Sequence, residues 1–285
     1  MWVLFAFLSA FFAGMTSILA KCGIKKTDSN VATFIRTLVV LPLSLLMALI
    51  VNPNFSLGAV SSKTLVFLVL SGLSTGASWL CYFRALSKGD INKVVPIDKS
   101  STVLTIILAV IFLGERVTVY KTLGVVFIAI GTLLMIEKKD TEKKSEGEGW
   151  LIYALLSAFF ASLTTILGKI GIEGVESNLG TAIRTAVVIV MSFIMVAFTG
   201  KTGEIKKIDK KELGFILLSG LSTGASWLCY YKALQDGEAG IVVPIDKLSI
   251  LVTIAFSYIV FKERLSKKAM LGLVMIVFGT LVLLV

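Results

Sequence analysis

The chain has 285 residues, of which 56% are hydrophobic and only 16% charged, too apolar for a soluble domain of this size. Its formal net charge of +10 fits loops lying against anionic lipid and gives no reason to expect nucleic-acid binding. Histidine is absent and the three cysteines show no C-x-x-C spacing, so no metal centre, redox pair, imidazole proton shuttle or cofactor is expected.

Apolar runs predict transmembrane helices over 2–20, 31–51, 64–86, 94–113, 119–136, 150–168, 178–198, 212–234, 241–261 and 269–285, each near the roughly 20 residues that a bilayer core requires. The fold class is therefore all-α, a polytopic membrane protein. A β-barrel is excluded, because its strands would alternate every second residue. The first run has no basic leader segment, and its partner at 150–168 reads as a retained helix, so no cleaved signal peptide is expected. The stretch EKKDTEKKSEGEG at 137–149 is a solvated linker.

The chain says nearly everything twice, at an offset of 148 residues. SAFFAGMTSILAKCGI at 9–24 returns as SAFFASLTTILGKIGI, SGLSTGASWLCY at 71–82 is repeated at 219–230, and VVPIDK at 94–99 is repeated at 242–247. Two repeats are expected, 1–136 and 150–285, with five helices each. Five is odd, so the second copy enters from the opposite side and runs inverted. Loop charge agrees: the loops after the odd-numbered spans hold 18 lysines and arginines against four after the even-numbered ones. By the positive-inside rule the odd loops and the linker are cytoplasmic, and both termini lie outside.

Six basic residues remain inside the spans, at matched sites: Arg36 and Arg184, Arg84 and Lys232, Lys99 and Lys247. Asp98 and Asp246 accompany them, and Glu115 and Glu263 close the fourth and ninth spans. A charge at mid-bilayer costs at least about 2.5–3.5 kcal/mol, so these residues must face protein or water. The clusters are expected on opposite sides of the midplane. Either the acids pair with neighbouring cations and tie helices together, or each cluster closes one mouth of a central cavity. Pro96 and Pro244, two residues before the acids, predict a bend. Gly72 and Gly76 give a small packing face. Trp79 with Tyr82, and Trp227 with Tyr230, are either interfacial anchors or cavity walls that stack on a solute. Cys81 and Cys229 are read as small buried apolar residues.

The order AFFAG-T-ILAK, IRT, SGLSTGASWLCYFRAL, VVPIDK, FLGERVT and GVVFIAIGTLLM, taken up again by YYKAL, VVPIDK and FKERLS, resembles the EamA domain of the drug/metabolite transporter superfamily. The chain looks like two fused half-length members, although Lys262 replaces the glycine of Gly-Glu-Arg in the second copy. The resemblance implies a ten-helix secondary transporter of a prokaryotic inner membrane. Helices 1, 3, 4, 6, 8 and 9 would line its cavity, and helices 5 and 10 would serve as scaffold or homodimer surface. The expected partners are a small-molecule substrate and the lipid bilayer, with the chain a monomer or homodimer. Cations outnumber acids inside the spans, which favours an anionic or zwitterionic solute; an amino-acid-like substrate and export by alternating access are the expectation. The absence of a Walker motif argues against direct ATP use. The alternatives are a channel or a non-transporting scaffold. An enzyme is not expected, since neither a paired histidine site nor a G-x-S-x-G elbow is present.

Overall fold

The computed structural model describes residues 1–23, 26–53, 58, 60–88, 94, 97–135, 149–261 and 266–284. The helices are α1 (Trp2–Gly23), α2 (Ser29–Val51), α3 (Ser62–Lys88), α4 (Ser101–Leu113), α5 (Val119–Met135), α6 (Trp150–Ile172), α7 (Ser177–Phe198), α8 (Lys210–Asp236), α9 (Ala239–Lys247), α10 (Ser249–Phe261) and α11 (Lys267–Val282). Pro96, Glu263 and all but the last residue of the linker lie outside the described residues. Seven stretches are long and apolar enough to span a bilayer: α1, α2, Ser62–Tyr82 of α3, α6, α7, α8, and Ala239–Phe256 across α9 and α10. With the shorter α4, α5 and α11 they make ten crossings in two five-helix repeats.

The helix starts repeat as faithfully as the interiors. Asp28 accepts the Asn30 N–H at 2.8 Å to open α2, and Glu176 accepts Asn178 N–H at 3.0 Å to open α7. Ser61 and Asp209 cap α3 and α8, while Thr118 and Ser266 cap α5 and α11. Each pair is 148 residues apart. The residue types differ, yet every one is an oxygen acceptor placed to satisfy orphan N–H groups of a first turn.

The fourth and ninth crossings are interrupted. Ser100 separates the helical turn at 97–99 from α4, and Leu248 separates α9 from α10. The Ser100 N–H donates to the Ile97 carbonyl (3.2 Å), and Leu248 N–H to that of Ile245 (2.9 Å). This i−3 tightening marks a hinge inside each crossing. The bend expected at Pro244 falls four residues later. Proline's fixed φ fits a helix, and Pro244 sits inside α9, where it withholds a donor only from the Gly240 carbonyl.

Packing shows the inversion directly. A Cβ on Gly131 would lie 2.6 Å from the Gly272 carbonyl oxygen, and one on Gly124 would lie 2.8 Å from that of Gly279. The reciprocal contacts from Gly272 and Gly279 are equally short. These two helices are the fifth of each repeat, and they cross in opposite directions. A two-fold axis in the membrane plane turns equivalent helices antiparallel, whereas an axis along the membrane normal would leave them parallel. In the same way, α1 packs antiparallel on α8 and α3 on α6, from Trp2 against Gly237 and from Leu68 against Gly171.

One face of the molecule gathers the start of α1, the end of α8 and the end of α11, and is called here the termini face. The opposite face, called the linker face, gathers the end of α5 and the start of α6, which the linker joins in the sequence. Toward the termini face, a continuous apolar plug joins Ala6, Leu68, Leu108, Ile166, Tyr231, Leu234, Val242 and Ile245, with Trp2 and Phe5 packed against it. Toward the linker face, Val31, Ala32, Ile35, Val196 and Ile216 form one apolar cluster, and Ala85, Val94 and Ala154, flanked by Tyr82, Ile97, Trp150 and Tyr153, form another. Outward faces carry exposed Leu46, Ile50, Leu133, Phe193 and Phe198, as a lipid-facing surface requires.

Candidate functional site

The two hinges place Lys99 and Lys247 at the inner ends of their half-crossings. A cavity of about 380 Å³ is lined by Thr33, Arg36, Ser78, Trp79, Tyr82, Asp98, Lys99 and Lys247 among others. A neighbouring cavity of about 400 Å³ shares Lys99 and Lys247 and adds the hydroxyls of Ser17, Thr102, Thr132, Ser249 and Thr253. Both lysines are exposed, though each lies midway along a crossing. Among the described residues, neither ammonium has a hydrogen-bond or ion-pair partner. The expectation of separate clusters flanking the midplane therefore changes. The hinged half-helices meet near the centre, so one lysine from each repeat reaches a single chamber.

The acids are held by serines of the opposite repeat. Ser157 Oγ donates to Asp98 Oδ1 at 2.8 Å, and Ser9 Oγ donates to Asp246 Oδ1 at 2.6 Å. Ser78 lies 3.5 Å from Ser157, and Ser226 lies 3.3 Å from Ser9. Among the described residues no ion pair within 4.0 Å joins Asp98 to Arg36 or Lys99. The sequence reading passed over these serines, although Ser9/Ser157 and Ser78/Ser226 all sit in the repeated motifs.

The matched arginines differ sharply. Arg184 is 3% exposed. Its Nε donates to Ser71 Oγ at 3.1 Å and its Nη2 to Thr75 Oγ1 at 2.6 Å, while its guanidinium lies 5.0 Å from the ring centroids of both Trp227 and Tyr231. A cation stacked between two aromatic faces and bonded to α3 fastens α3, α7 and α8 together. Tyr230 packs against the plug, its hydroxyl 3.1 Å from that of Thr165. Arg36 is half-buried, faces the chamber, and among the described residues donates only to Thr33 on its own helix, at 3.1 Å. Trp79 and Tyr82 likewise line the chamber, whereas Trp227 stacks on the Arg184 guanidinium and Tyr230 packs against the plug. The small faces also behave alike: Gly72 and Gly76 admit α7 at Val187 and Met191, while Gly220 and Gly224 admit α2 at Val39 and Leu43. Cys81 and Cys229 are half-buried free thiols.

Lys121, one of the four basic residues assigned above to the loops after even-numbered spans, lies instead in the first turn of α5 with its side chain 7% exposed, 3.0 Å from Glu115 and 2.7 Å from Glu238. Glu115 Oε2 also accepts the Gly240 N–H at 3.0 Å, so it satisfies a donor at the start of α9. Gly114 ends α4 at φ +67°, a left-handed turn that glycine permits. Gly114 and Glu115, the first two residues of the Gly-Glu-Arg motif, thus work as a turn and a cap for the half-helix of the other repeat.

Inverted repeats meeting at a chamber, with interrupted crossings on either side, define the class of membrane transporters. The EamA-like transporter family model matches residues 1–137 and 148–285, and the chain belongs to that family. An uncharacterized transporter of Archaeoglobus fulgidus is 23% identical over 287 residues, 99% of this chain and 97% of its own. A Sinorhizobium protein described as an uncharacterized transporter in the cobO 3′ region is 45% identical over 134 residues, 47% of this chain but 95% of its own. That relative is about one repeat long. A solved crystal structure shares the fold with a TM-score of 0.79 over 99% of this chain and 96% of its own, at 12% identity.

Proposed function

We propose that the protein is a secondary transporter that moves a small anionic or zwitterionic metabolite across the cell membrane by alternating access, in the direction of export. The observation that carries the reading is the asymmetry of two equivalent halves. Arg184 is stacked between Trp227 and Tyr231 and Tyr230 packs against the plug, while Arg36, Trp79 and Tyr82 line a chamber toward the linker face. One sequence motif in two environments is what a carrier stopped on one side of its cycle would present. Exchanging the two environments would let Arg36 bond Ser219 and Thr223 on α8, the counterparts of Ser71 and Thr75.

Solute charge follows from the chamber. Two ammonium groups without protein partners in a membrane interior favour an anionic group between them. Asp98 and the Trp79 face beside them offer a place for a cationic group. The charge bias of the loops supports a cytoplasmic linker, which makes the open chamber the cytoplasmic one, as an exporter's loading state would be. The test is counterflow in proteoliposomes, screened over carboxylates and amino acids. Saturable exchange that falls at least tenfold in Lys247→Gln is expected. Linear, non-saturable flux would identify a channel, and absence of flux with every solute would leave a scaffold.

A further inference from the structure

We propose that Lys121 is a positioning residue that sets the resting side of the carrier, by latching the termini-face end of α9 shut. The proposal rests on the alternating-access reading above. Lys121 bridges Glu115, from the α4–α5 turn, and Glu238, immediately before α9, while Glu115 holds the Gly240 N–H. Two carboxylates converge on one buried ammonium, and the start of α9 cannot swing outward without breaking the cluster. With the cation removed, the two acids would face each other with no counter-charge between them, and closure would lose its tie.

The latch is one-sided. The repeat offset of 148 relates Glu115 to Glu263 and Glu238 to Asp90, so both copies carry the acids. The position matching Lys121 is Ala269, which is buried in α11 at 1% exposure. In the sequence, one end has a cation at this position and the other a methyl group. The end that has the cation holds the plug around Tyr231 and Leu234. A two-state carrier with unequal latches rests on the side of the weaker one, and its distribution follows the free-energy difference between them.

The experiment uses the full chain in detergent micelles, with Cys22, Cys81 and Cys229 replaced by alanine, so that both mouths meet reagent regardless of membrane orientation. Val242→Cys reports the plug, where Val242 is fully buried, and Ser101→Cys reports the linker-face chamber. Adding Lys121→Ala is expected to raise the maleimide labelling rate at position 242 at least tenfold and to lower it at position 101. Lys121→Arg should keep the original pattern. Ala269→Lys in the Lys121→Ala background should carry the shift further toward the termini face. Unchanged rates at position 242 would overturn the assignment, and rates rising at both positions would reduce Lys121 to a general stabiliser. If 242 opens while 101 does not close, the latch stands and it is the alternating-access reading that fails.

Discussion

Asp98 and Asp246 are each bonded directly to the repeat that does not contain them, through one serine hydroxyl. That arrangement makes the serine–aspartate pair a joint between halves. Ser157→Ala should lower transport several-fold, and the bond it removes is worth about 1.5–3 kcal/mol when the acceptor is charged. Asp98→Asn should impair counterflow far more than it lowers membrane expression; wild-type flux in that variant would remove Asp98 from the mechanism. Arg184→Lys keeps the charge but gives up the planar fork and the stacking between Trp227 and Tyr231. It should loosen the closed end, seen as faster labelling of Val242→Cys. Residues of this kind were readable because they recur: a buried charge found twice at one offset demands a shared reason. Lys121 recurs nowhere, and so it passed for a loop charge. What makes it important is the contact with Glu238, 117 positions away in the chain, which no local pattern encodes.

Helix number, order and inversion were legible from apolar run length, an odd count per copy and the loop charges, since each of these follows from the bilayer itself. The hinges were legible only in part. VVPIDK announced a bend, but its site depended on where the i−4 ladder fails, and that is four residues beyond Pro244. The crossing of α5 and α11 is the most exacting contact between elements, because backbone meets backbone there. Gly131→Val should force the helices apart and cost about 1–3 kcal/mol by overpacking. Its readout is a lower midpoint of thermal unfolding in detergent. An unchanged midpoint would mean that the crossing has room which the 2.6 Å approach denies.

For the whole molecule, the linker need only keep the two halves near each other, because the contacts of α1 with α8 and of α3 with α6 already join them. Cutting the chain within 137–149 and co-expressing the pieces should therefore restore transport. Persistent failure would count against two self-sufficient units. A cysteine at Thr141 should resist impermeant thiol reagents in intact cells, and labelling there would reverse the proposed orientation. The relative one repeat long makes the same point from another direction, for such a chain must find a second copy to complete the architecture.

That comparison gives the glycine contact between α5 and α11 a wider meaning. A surface that fits its own inverted image works equally well between separate, identical chains and within a joined one. Identical chains must place any new side chain on both sides of the membrane together, so neither side can be favoured over the other. Once the copies share a single chain, a mutation can land on one side alone, and a machine with no preferred side can acquire one.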